Sequence, residues 1–136
     1  MALPSLGEMS IGSEMDIVTA RKAVREVATA LGFGLTDVTR AVTAASELAR
    51  NIYTFAGQGV MHWRILNGPS GAGLELTFED HGPGIPDVEL ALQPGYTTSK
   101  GMGMGLPGSQ RLMDELEIHS VVGQGTTVVV RKWRKK

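Results

Sequence analysis

Residues 60–78 read VMHWRILNGPSGAGLELTF, and this stretch decides the fold class. Two apolar-rich extended runs, Val60–Leu66 and Leu74–Phe78, flank the glycine-rich segment Asn67–Gly73. Extended runs joined by a short segment rich in Gly, Pro, Asn and Ser are typical of a β-hairpin. Because hairpin strands pair antiparallel, the chain is not predicted to be an alternating βαβ sheet.

Periodicity on either side of this hairpin predicts the other elements. Helical spacing of apolar residues and β-branched alternation predict, in chain order, a strand at 8–12, helices at 16–31 and 36–54, a short helical turn at 87–92, a helix at 106–116, and a second hairpin with strands at 117–122 and 126–133. Ser13 is the expected N-cap of the first helix and Gly32 its stop. We therefore predict an α+β fold, a two-layer sandwich with a mixed, mainly antiparallel sheet and helices on one face.

Length and composition predict a single domain. The chain has 136 residues, which we divide into a flexible N-terminus at 1–7 and one domain at 8–134. Lys plus Arg number 13 and Asp plus Glu 14, a net charge of −1, which argues against a nucleic-acid or membrane-surface binder. The absence of Cys excludes disulfides, thiol nucleophiles and Cys-based metal sites. The basic ending at 131–136 is either a solvated tail or a weak nucleic-acid contact, and we expect a soluble cytoplasmic protein.

The first candidate site is the pair Glu47 and Asn51 in the second predicted helix. A separation of four places both side chains on one helical face. A carboxylate beside a carboxamide oxygen can bind a hard cation or divide the work between a base and a metal ligand. Ordinary polar residues on a solvated helix face are the alternative.

The second candidate is Asp80, which directly follows a predicted strand and precedes Gly82-Pro83-Gly84. A carboxylate held at a strand end accepts a hydrogen bond well, for instance from the exocyclic amine of a purine. Alternatively, Asp80 caps the turn, as Asp often does.

Two further motifs are rich in glycine. The segment 101–108 reads GMGMGLPG and opens the helix at Leu106, so its successive N–H groups and the helix start favour phosphate oxygens. It is neither a Walker loop nor a dinucleotide fingerprint, and a flexible connector is the alternative. Gly125-Thr126 opens the last strand, where an ordinary hairpin turn is the alternative.

Taken together and in this order, the four motifs resemble those of the GHKL ATPase family, over about residues 11–133. Within that family the chain is similar to the small serine/threonine kinases of bacterial partner-switching systems, the stressosome kinases among them. The segment 101–115 and the C-terminal Val-Arg-Lys-Trp carry this closer similarity. The resemblance implies the Bergerat type of sandwich and the use of ATP and Mg²⁺.

The resemblance also implies a role for each motif. Asn51 would coordinate Mg²⁺, Glu47 would be the catalytic base, and Asp80 would bind the adenine amine, supported by Thr126 through water. Gly82 and Gly84 would let the base pack against backbone. The phosphates would be bound by the residues of the glycine-rich segment, namely Lys100, Gly101, Met102, Gly103, Met104, Gly105 and Leu106, and 86–100 would be the lid over the nucleotide.

The implied function is an ATP-dependent protein serine/threonine kinase of a bacterial stress-response module. It would phosphorylate STAS-domain proteins of the RsbS and RsbR type, and partner switching would then activate a PP2C-type phosphatase. No nucleic acid or membrane partner is expected. The alternative is a nucleotide-dependent anti-sigma factor or binding switch with little kinase activity.

Overall fold

The computed structural model describes residues 6–69, 71–85, 87–88 and 106–135. Their elements are, in order, β1 (Leu6–Ile11), α1 (Glu14–Ala30), α2 (Leu35–Asn51) with a π-helical turn (Ile52–Ala56) at its end, β2 (Gly59–Gly68), β3 (Gly71–Asp80), α3 (Leu106–Leu112), β4 (Glu115–Val121) and β5 (Gly125–Trp133).

The strands form one five-stranded sheet in the order β1-β2-β3-β5-β4, and all four pairings between these described strands are antiparallel. Alternation along the strands separates two faces. The inner face carries the buried apolar side chains, including Met61, Leu76, Phe78 and Val130. The outer face carries charged residues such as Arg64, Glu75 and Arg131. The prediction of a mainly antiparallel sandwich with helices on one face is confirmed.

The two long helices cover the inner face. Ser13 caps α1 as predicted, since its Oγ accepts a hydrogen bond from the Asp16 N–H at 3.1 Å. The surfaces that α1 and α2 bury are rich in small residues, which lets the two helix backbones approach closely. Their buried alanines are Ala20, Ala28, Ala41, Ala44, Ala45 and Ala49.

The first strand begins earlier than predicted. The sequence predicts a flexible terminus that includes Leu6 and Gly7, but these residues lie in β1 and pair with Arg64 and Trp63 of β2. A side chain at Gly7 would collide with the Trp63 indole. The glycine therefore makes room for the ring, although in sequence it looks like part of a flexible terminus.

The hairpin of β2 and β3 is longer than predicted. Its strands run to Gly68 and from Gly71, so most of the predicted loop is paired backbone. A Cβ at Gly68 would lie 2.6 Å from the Trp133 ring, and one at Gly73 would also collide with that ring. These glycines accommodate an indole rather than forming a loop.

The helix after the glycine-rich segment is shorter than predicted. The apolar spacing predicts a helix to Leu116, but α3 ends at Leu112 and β4 already begins at Glu115. Two contacts end it: the Lys132 Nζ donates to the Leu112 carbonyl at 2.8 Å, and the Asp114 N–H donates to the Arg131 carbonyl at 2.9 Å. The helical turn predicted at 87–92 lies mostly outside the described residues.

Candidate functional site

A cavity of about 480 Å³, including its open mouth, lies where the end of α2 meets the end of β3 and the start of β5. Most of its lining is apolar, and three side chains bring polar atoms to it. The lining residues are Leu48, Asn51, Ile52, Phe55, Ala56, Phe78, Asp80, Pro83, Gly84, Ile85, Leu106, Thr126 and Val128.

Asp80 is the last residue of β3 and is held in a fixed orientation. Its Oδ1 accepts a hydrogen bond from the Gly82 N–H at 2.9 Å, the Asx-turn geometry in which the side chain mimics a backbone turn. Thr126 is its cross-strand partner in β5. The alternative role of Asp80 in the turn is thus confirmed, and it uses one of the two carboxylate oxygens.

The loop after Asp80 rests on the connection between β4 and β5. The Gly123 N–H donates to the Pro83 carbonyl at 2.9 Å, and the Ile85 N–H donates to the Ser120 Oγ at 2.7 Å. Gly84 has φ +79° and packs so closely that a Cβ there would lie 2.6 Å from the Val121 carbonyl oxygen. These contacts fix one wall of the cavity against the sheet.

The opposite wall is the C-terminal end of α2. Asn51 is its last α-helical residue, and the following π turn brings Phe55 and Ala56 onto the cavity. The turn stops at Gly57, which has φ +83° and donates its N–H to the Ile52 carbonyl at 2.9 Å. Single π turns often occur at functional sites, because the extra residue redirects side chains.

Glu47 lies one helical turn before Asn51 on the same face of α2. Its side chain is half-buried, and it is not among the residues that line the cavity. Its neighbours Leu48 and Asn51 in α2 do line the cavity.

Five predicted site residues come together at this cavity, and Gly82 stands next to them. Those five are Asn51, Asp80, Gly84, Leu106 and Thr126. A Cβ at Gly82 would lie 2.7 Å from the Ala56 Cβ, so a larger residue would separate the two walls. The remaining predicted residues, Lys100 and 101–105, lie outside the described residues.

Sequence reasoning missed the apolar lining and one hydroxyl. Leu48, Ile52 and Phe55 follow the helical spacing of the Glu47 and Asn51 face, which could have marked them. Ser120 stands opposite Thr126 in the β4–β5 hairpin and bonds to it. Once the hairpin register is known, Ser120 follows from it.

This arrangement suits a flat heteroaromatic ring with an amine donor. The apolar walls can cover the two faces of such a ring, and the fixed Asp80 carboxylate can accept from its edge. Among the described residues, no cluster of three or more His, Cys, Asp or Glu side chains could hold a metal ion. Nor does that part of the chain contain a helix sufficiently long and apolar to cross a membrane.

Comparison with known proteins agrees with this geometry. Residues 13–132 match the family described as the histidine kinase-like ATPase domain. The chain belongs to this family. The GHKL resemblance inferred from the four motifs is confirmed, and membership in an ATPase family supports nucleotide use.

Two relatives show which members of the family this chain resembles. The chain is 49% identical to the serine/threonine-protein kinase RsbT of Bacillus subtilis, over 90% of this chain and 92% of the relative. It is 35% identical to the anti-sigma F factor of Anoxybacillus flavithermus, over 83% and 81% of the two chains. The expected likeness to the serine/threonine kinases of this family is confirmed.

A solved structure supports the fold alone. The RsbU and RsbW domains of a Mycobacterium tuberculosis protein superpose on 97% of this chain with a TM-score of 0.67, at 18% identity and over 32% of that longer chain. At this identity the similarity concerns backbone architecture, and it agrees with the histidine kinase-like sandwich.

Proposed function

We propose that this histidine kinase-like ATPase domain is an ATP-dependent protein serine/threonine kinase of a bacterial partner-switching stress-response module. One observation carries the proposal. Asn51, Asp80 and Thr126 line one cavity, in a chain 49% identical to a named serine/threonine kinase. The proposed catalytic domain runs from β1 to about residue 134.

The cavity would hold the adenine ring of ATP. Phe78, Ile85 and Val128 belong to its apolar walls, which can exclude water from the ring faces. The Asp80 carboxylate would accept from the exocyclic amine. The triphosphate would extend past Asn51 toward Leu106, where Lys100 and the backbone N–H groups of 101–105 would bind it.

The residues at the end of α2 fit a magnesium ion that is shared with the phosphates. Mg²⁺ prefers oxygen ligands, and protein sites for it usually use one or two side chains plus phosphates and water. Asn51 offers a carboxamide oxygen at the cavity, and Glu47 places a carboxylate one turn away. Bound there, the ion would neutralise charge on the transferring phosphoryl group.

Glu47 would be the general base. It would take the proton from a serine or threonine hydroxyl of the substrate protein while that oxygen bonds to the γ-phosphorus. The bond from the γ-phosphorus to the bridging oxygen breaks, and ADP leaves with its electron pair. Positioning and charge neutralisation supply most of the catalysis, and a base of this kind contributes about 10²–10⁴-fold.

The proposed substrates are STAS-domain proteins, and the proposed consequence of their phosphorylation is release of the kinase to activate a PP2C-type phosphatase. Partner switching of this kind would take place in the cytoplasm. The similarity to RsbT supports these partners, and the net charge of −1 fits a protein that binds other proteins rather than nucleic acid.

The nucleotide site is tested with Asp80→Asn. Binding of Mg-ATP, followed by calorimetry, should weaken at least tenfold because a carboxylate acceptor is replaced by a weaker, neutral one. Glu79→Gln is the matched control, since it removes the same charge one residue away on the outer face of β3. If both variants bind ATP like the intact protein, the cavity is not the nucleotide site.

The kinase activity is tested with a purified STAS-domain protein, Mg-ATP and Glu47→Gln. Phosphate transfer should fall about 10²–10⁴-fold while ATP binding changes little. Glu26→Gln, on the exposed side of α1, is the control. Equal transfer by Glu47→Gln and the intact protein would rule out Glu47 as the base.

The second candidate function is a nucleotide-dependent anti-sigma factor. The 35% identity to an anti-sigma F factor favours it. It predicts capture of a sigma factor in pull-downs with nucleotide, whereas the kinase proposal predicts none.

An Asn51→Ala variant that loses phosphate transfer but still activates a phosphatase would separate partner switching from catalysis.

A further inference from the structure

Four charged side chains of alternating sign form a ladder across the outer face of the sheet. One comes from each of β2, β3, β5 and β4, in the order Arg64, Glu75, Arg131 and Glu115. Neighbours in the ladder are in contact, at N–O distances of 3.0, 2.8 and 3.2 Å. The two middle side chains are largely covered, whereas Arg64 and Glu115 remain 56% and 45% exposed. The two ends of the ladder thus present opposite charges to solvent.

A second row lies two residues further along each strand and also has its acidic residue on β4. Its members, from β2 to β4, are His62, Thr77, Val129 and Glu117. The Glu117 carboxylate lies 2.8 Å from Arg131, so it adds a second anion to the β4 side of the face. Thr77 and Val129, in the middle of the row, are half-buried and β-branched. The face is therefore basic on the side of β2 and acidic on the side of β4.

This pattern is complementary to itself under one two-fold rotation. A rotation axis parallel to the strands and between β3 and β5 places β2 over β4 of a second copy, and β3 over its β5. Arg64 then faces Glu115 of the second copy, and Glu75 faces its Arg131. Each contact occurs twice because the interface is isologous. The edge strand β1, with the exposed Glu8, lies outside the overlap.

Other two-fold axes oppose like charges or use less of the ladder. An axis along β3 places Glu75 over Glu75 of the second copy, and an axis along β5 places Glu75 over its Glu115. An axis perpendicular to the strands and through the charged rows places β4 over β4, so that carboxylates face carboxylates. An axis between β2 and β3 leaves β4 outside the overlap. Since like charges that face each other oppose association, the charges favour the axis between β3 and β5.

In the second row the contacts beside this axis are neutral. Thr77 faces Val129 of the second copy, and the same contact repeats across the axis. Two sheets that pack face to face are commonly aligned within about 30° and lie about 10 Å apart, a gap that arginine and glutamate side chains from both sides span. A centre poor in charge with charged groups towards its edges is the usual anatomy of a protein–protein interface.

We propose that the outer face of the sheet is an interface between two copies of this chain, related by a two-fold axis that runs parallel to the strands between β3 and β5. The cavity is lined by residues of the opposite face, such as Phe78 and Val128, so association leaves both cavities open. The proposal does not depend on the kinase function, because no nucleotide or substrate takes part in the contact.

Sedimentation equilibrium of the intact chain provides the first test. The protein should form a dimer in a concentration-dependent manner at low salt. Its dissociation constant should rise at least tenfold between about 0.05 M and about 0.5 M NaCl, because salt screens exposed charge pairs. This measurement needs no variant, so it does not depend on how well any variant folds.

Charge reversal at the two ends of the ladder provides the second test. Arg64→Glu and Glu115→Arg each place like charges opposite each other twice, so each variant alone should associate at least tenfold more weakly than the intact protein. An equimolar mixture of the two variants should associate again, because every reversed charge then meets an unlike charge on the other variant. A misfolded variant would not recover in this way.

Arg25→Glu and Glu26→Arg are the matched controls. They change the net charge by the same amounts as the two reversals, but both residues are exposed on α1, away from the sheet face. Association of these variants should equal that of the intact protein. The controls thus separate the contact itself from a general effect of net charge.

Three results would overturn the inference. The first is an intact protein that stays monomeric at low salt up to about 1 mM, the limit of even a weak interaction. The second is a dimer that neither salt nor either reversal weakens, since it would use another surface such as the free edge of β1. The third is a mixture of the two reversed variants that stays as weakly associated as each variant alone.

Discussion

Gly125 is the first residue of β5. It lies next to Asp80 and Thr126, which line the cavity. Its φ is +137°, a backbone conformation that side chains other than glycine rarely adopt, and a Cβ there would collide with the Asp80 carbonyl oxygen. The close approach holds Asp80 and Thr126 side by side. The position thus needs glycine for both its conformation and its space.

Gly125→Ala is expected to destabilise the protein by about 3 kcal/mol, because backbone strain adds to a collision with main-chain atoms that cannot move aside. Gly123→Ala is the matched control in the same connection. Gly123 has φ +82° but no atoms near the position of a Cβ, so it should lose only about 1 kcal/mol. Urea unfolding of both variants provides the measurement, and equal losses would contradict the packing argument.

At the scale of single residues, the sequence identified Asp80, Thr126 and Asn51 because each is a polar residue with a characteristic glycine or carboxylate neighbour. It did not identify Ser120. Nothing in the immediate sequence of Ser120 marks it, because its three partners come from the loop at 81–85 and from β5, and only the hairpin register brings them together.

At the scale of elements, the outer face of the sheet carries an ion-pair network across the four strands β2, β3, β5 and β4. The Glu75 carboxylate of β3 lies 2.8 Å from the Arg131 Nε and 3.0 Å from Arg64, and Arg131 also contacts Glu115 and Glu117. Burial alone would raise the pKa of Glu75, but hydrogen bonds from Arg131 and Arg64 outweigh it and hold the pKa below its ordinary value of 4.5. The hydrogen bond with Glu75 in turn raises the pKa of Arg131.

This lowered pKa predicts a pH dependence of stability. As the pH falls below about 5, the unfolded chain takes up a proton at Glu75 before the folded chain does, so folding loses stability until the folded carboxyl is also protonated. Between about pH 5 and pH 3 the intact protein should lose more free energy of unfolding than Glu75→Gln. Urea unfolding at several pH values measures this, with the exposed Glu26→Gln as control. Parallel curves for intact protein and Glu75→Gln would contradict the expected linkage.

Element types were predictable from sequence, whereas several element ends were not. Both hairpins follow from alternation and turn residues, and both long helices from apolar spacing. The end of α3 at Leu112 depends on Lys132, which is twenty residues away along the chain. Gly68 and Gly73, which pack against the Trp133 ring, resemble loop glycines in sequence. The predicted strands of this hairpin are therefore shorter than the observed ones.

At the scale of the whole molecule, Lys132 ties three elements together from the inner face of β5. The residue is only 2% exposed. Its Nζ donates to the Leu112 carbonyl at the end of α3 and lies 3.6 Å from Asp37 in the first turn of α2 and 3.8 Å from Asp114. A buried ammonium with carboxylates and a carbonyl around it stabilises the arrangement only while all partners are present.

Lys132→Met should therefore cost about 3 kcal/mol, since it leaves the Leu112 carbonyl and the Asp37 carboxylate without this cation. Lys135→Met is the control: Lys135 lies 3.9 Å from the same Asp114, but its side chain is 61% exposed. An exposed pair of this kind contributes well below 1 kcal/mol. Thermal and urea unfolding measure both variants, and a comparably small loss for Lys132→Met would contradict the proposed tie.

The order of the strands is the part of the architecture that local patterns could not supply. β5 lies between β3 and β4, so the last strand pairs with β3 across a long intervening segment that includes α3 and β4. That pairing places Thr126 beside Asp80. The Asp80 motif and the Gly125-Thr126 motif are each recognisable in the sequence, but their contact depends on long-range packing.

The two indole rings stand away from the cavity. Trp133 lies at the far end of β5, seven residues from Thr126, or roughly 23 Å along an extended strand. Trp63 packs against Gly7 of the edge strand β1, and neither ring is part of the cavity lining. Intrinsic fluorescence is therefore a natural reporter of denaturation for this protein and a poor one for ligand titrations. Following occupancy optically would require a fluorophore on the ligand itself.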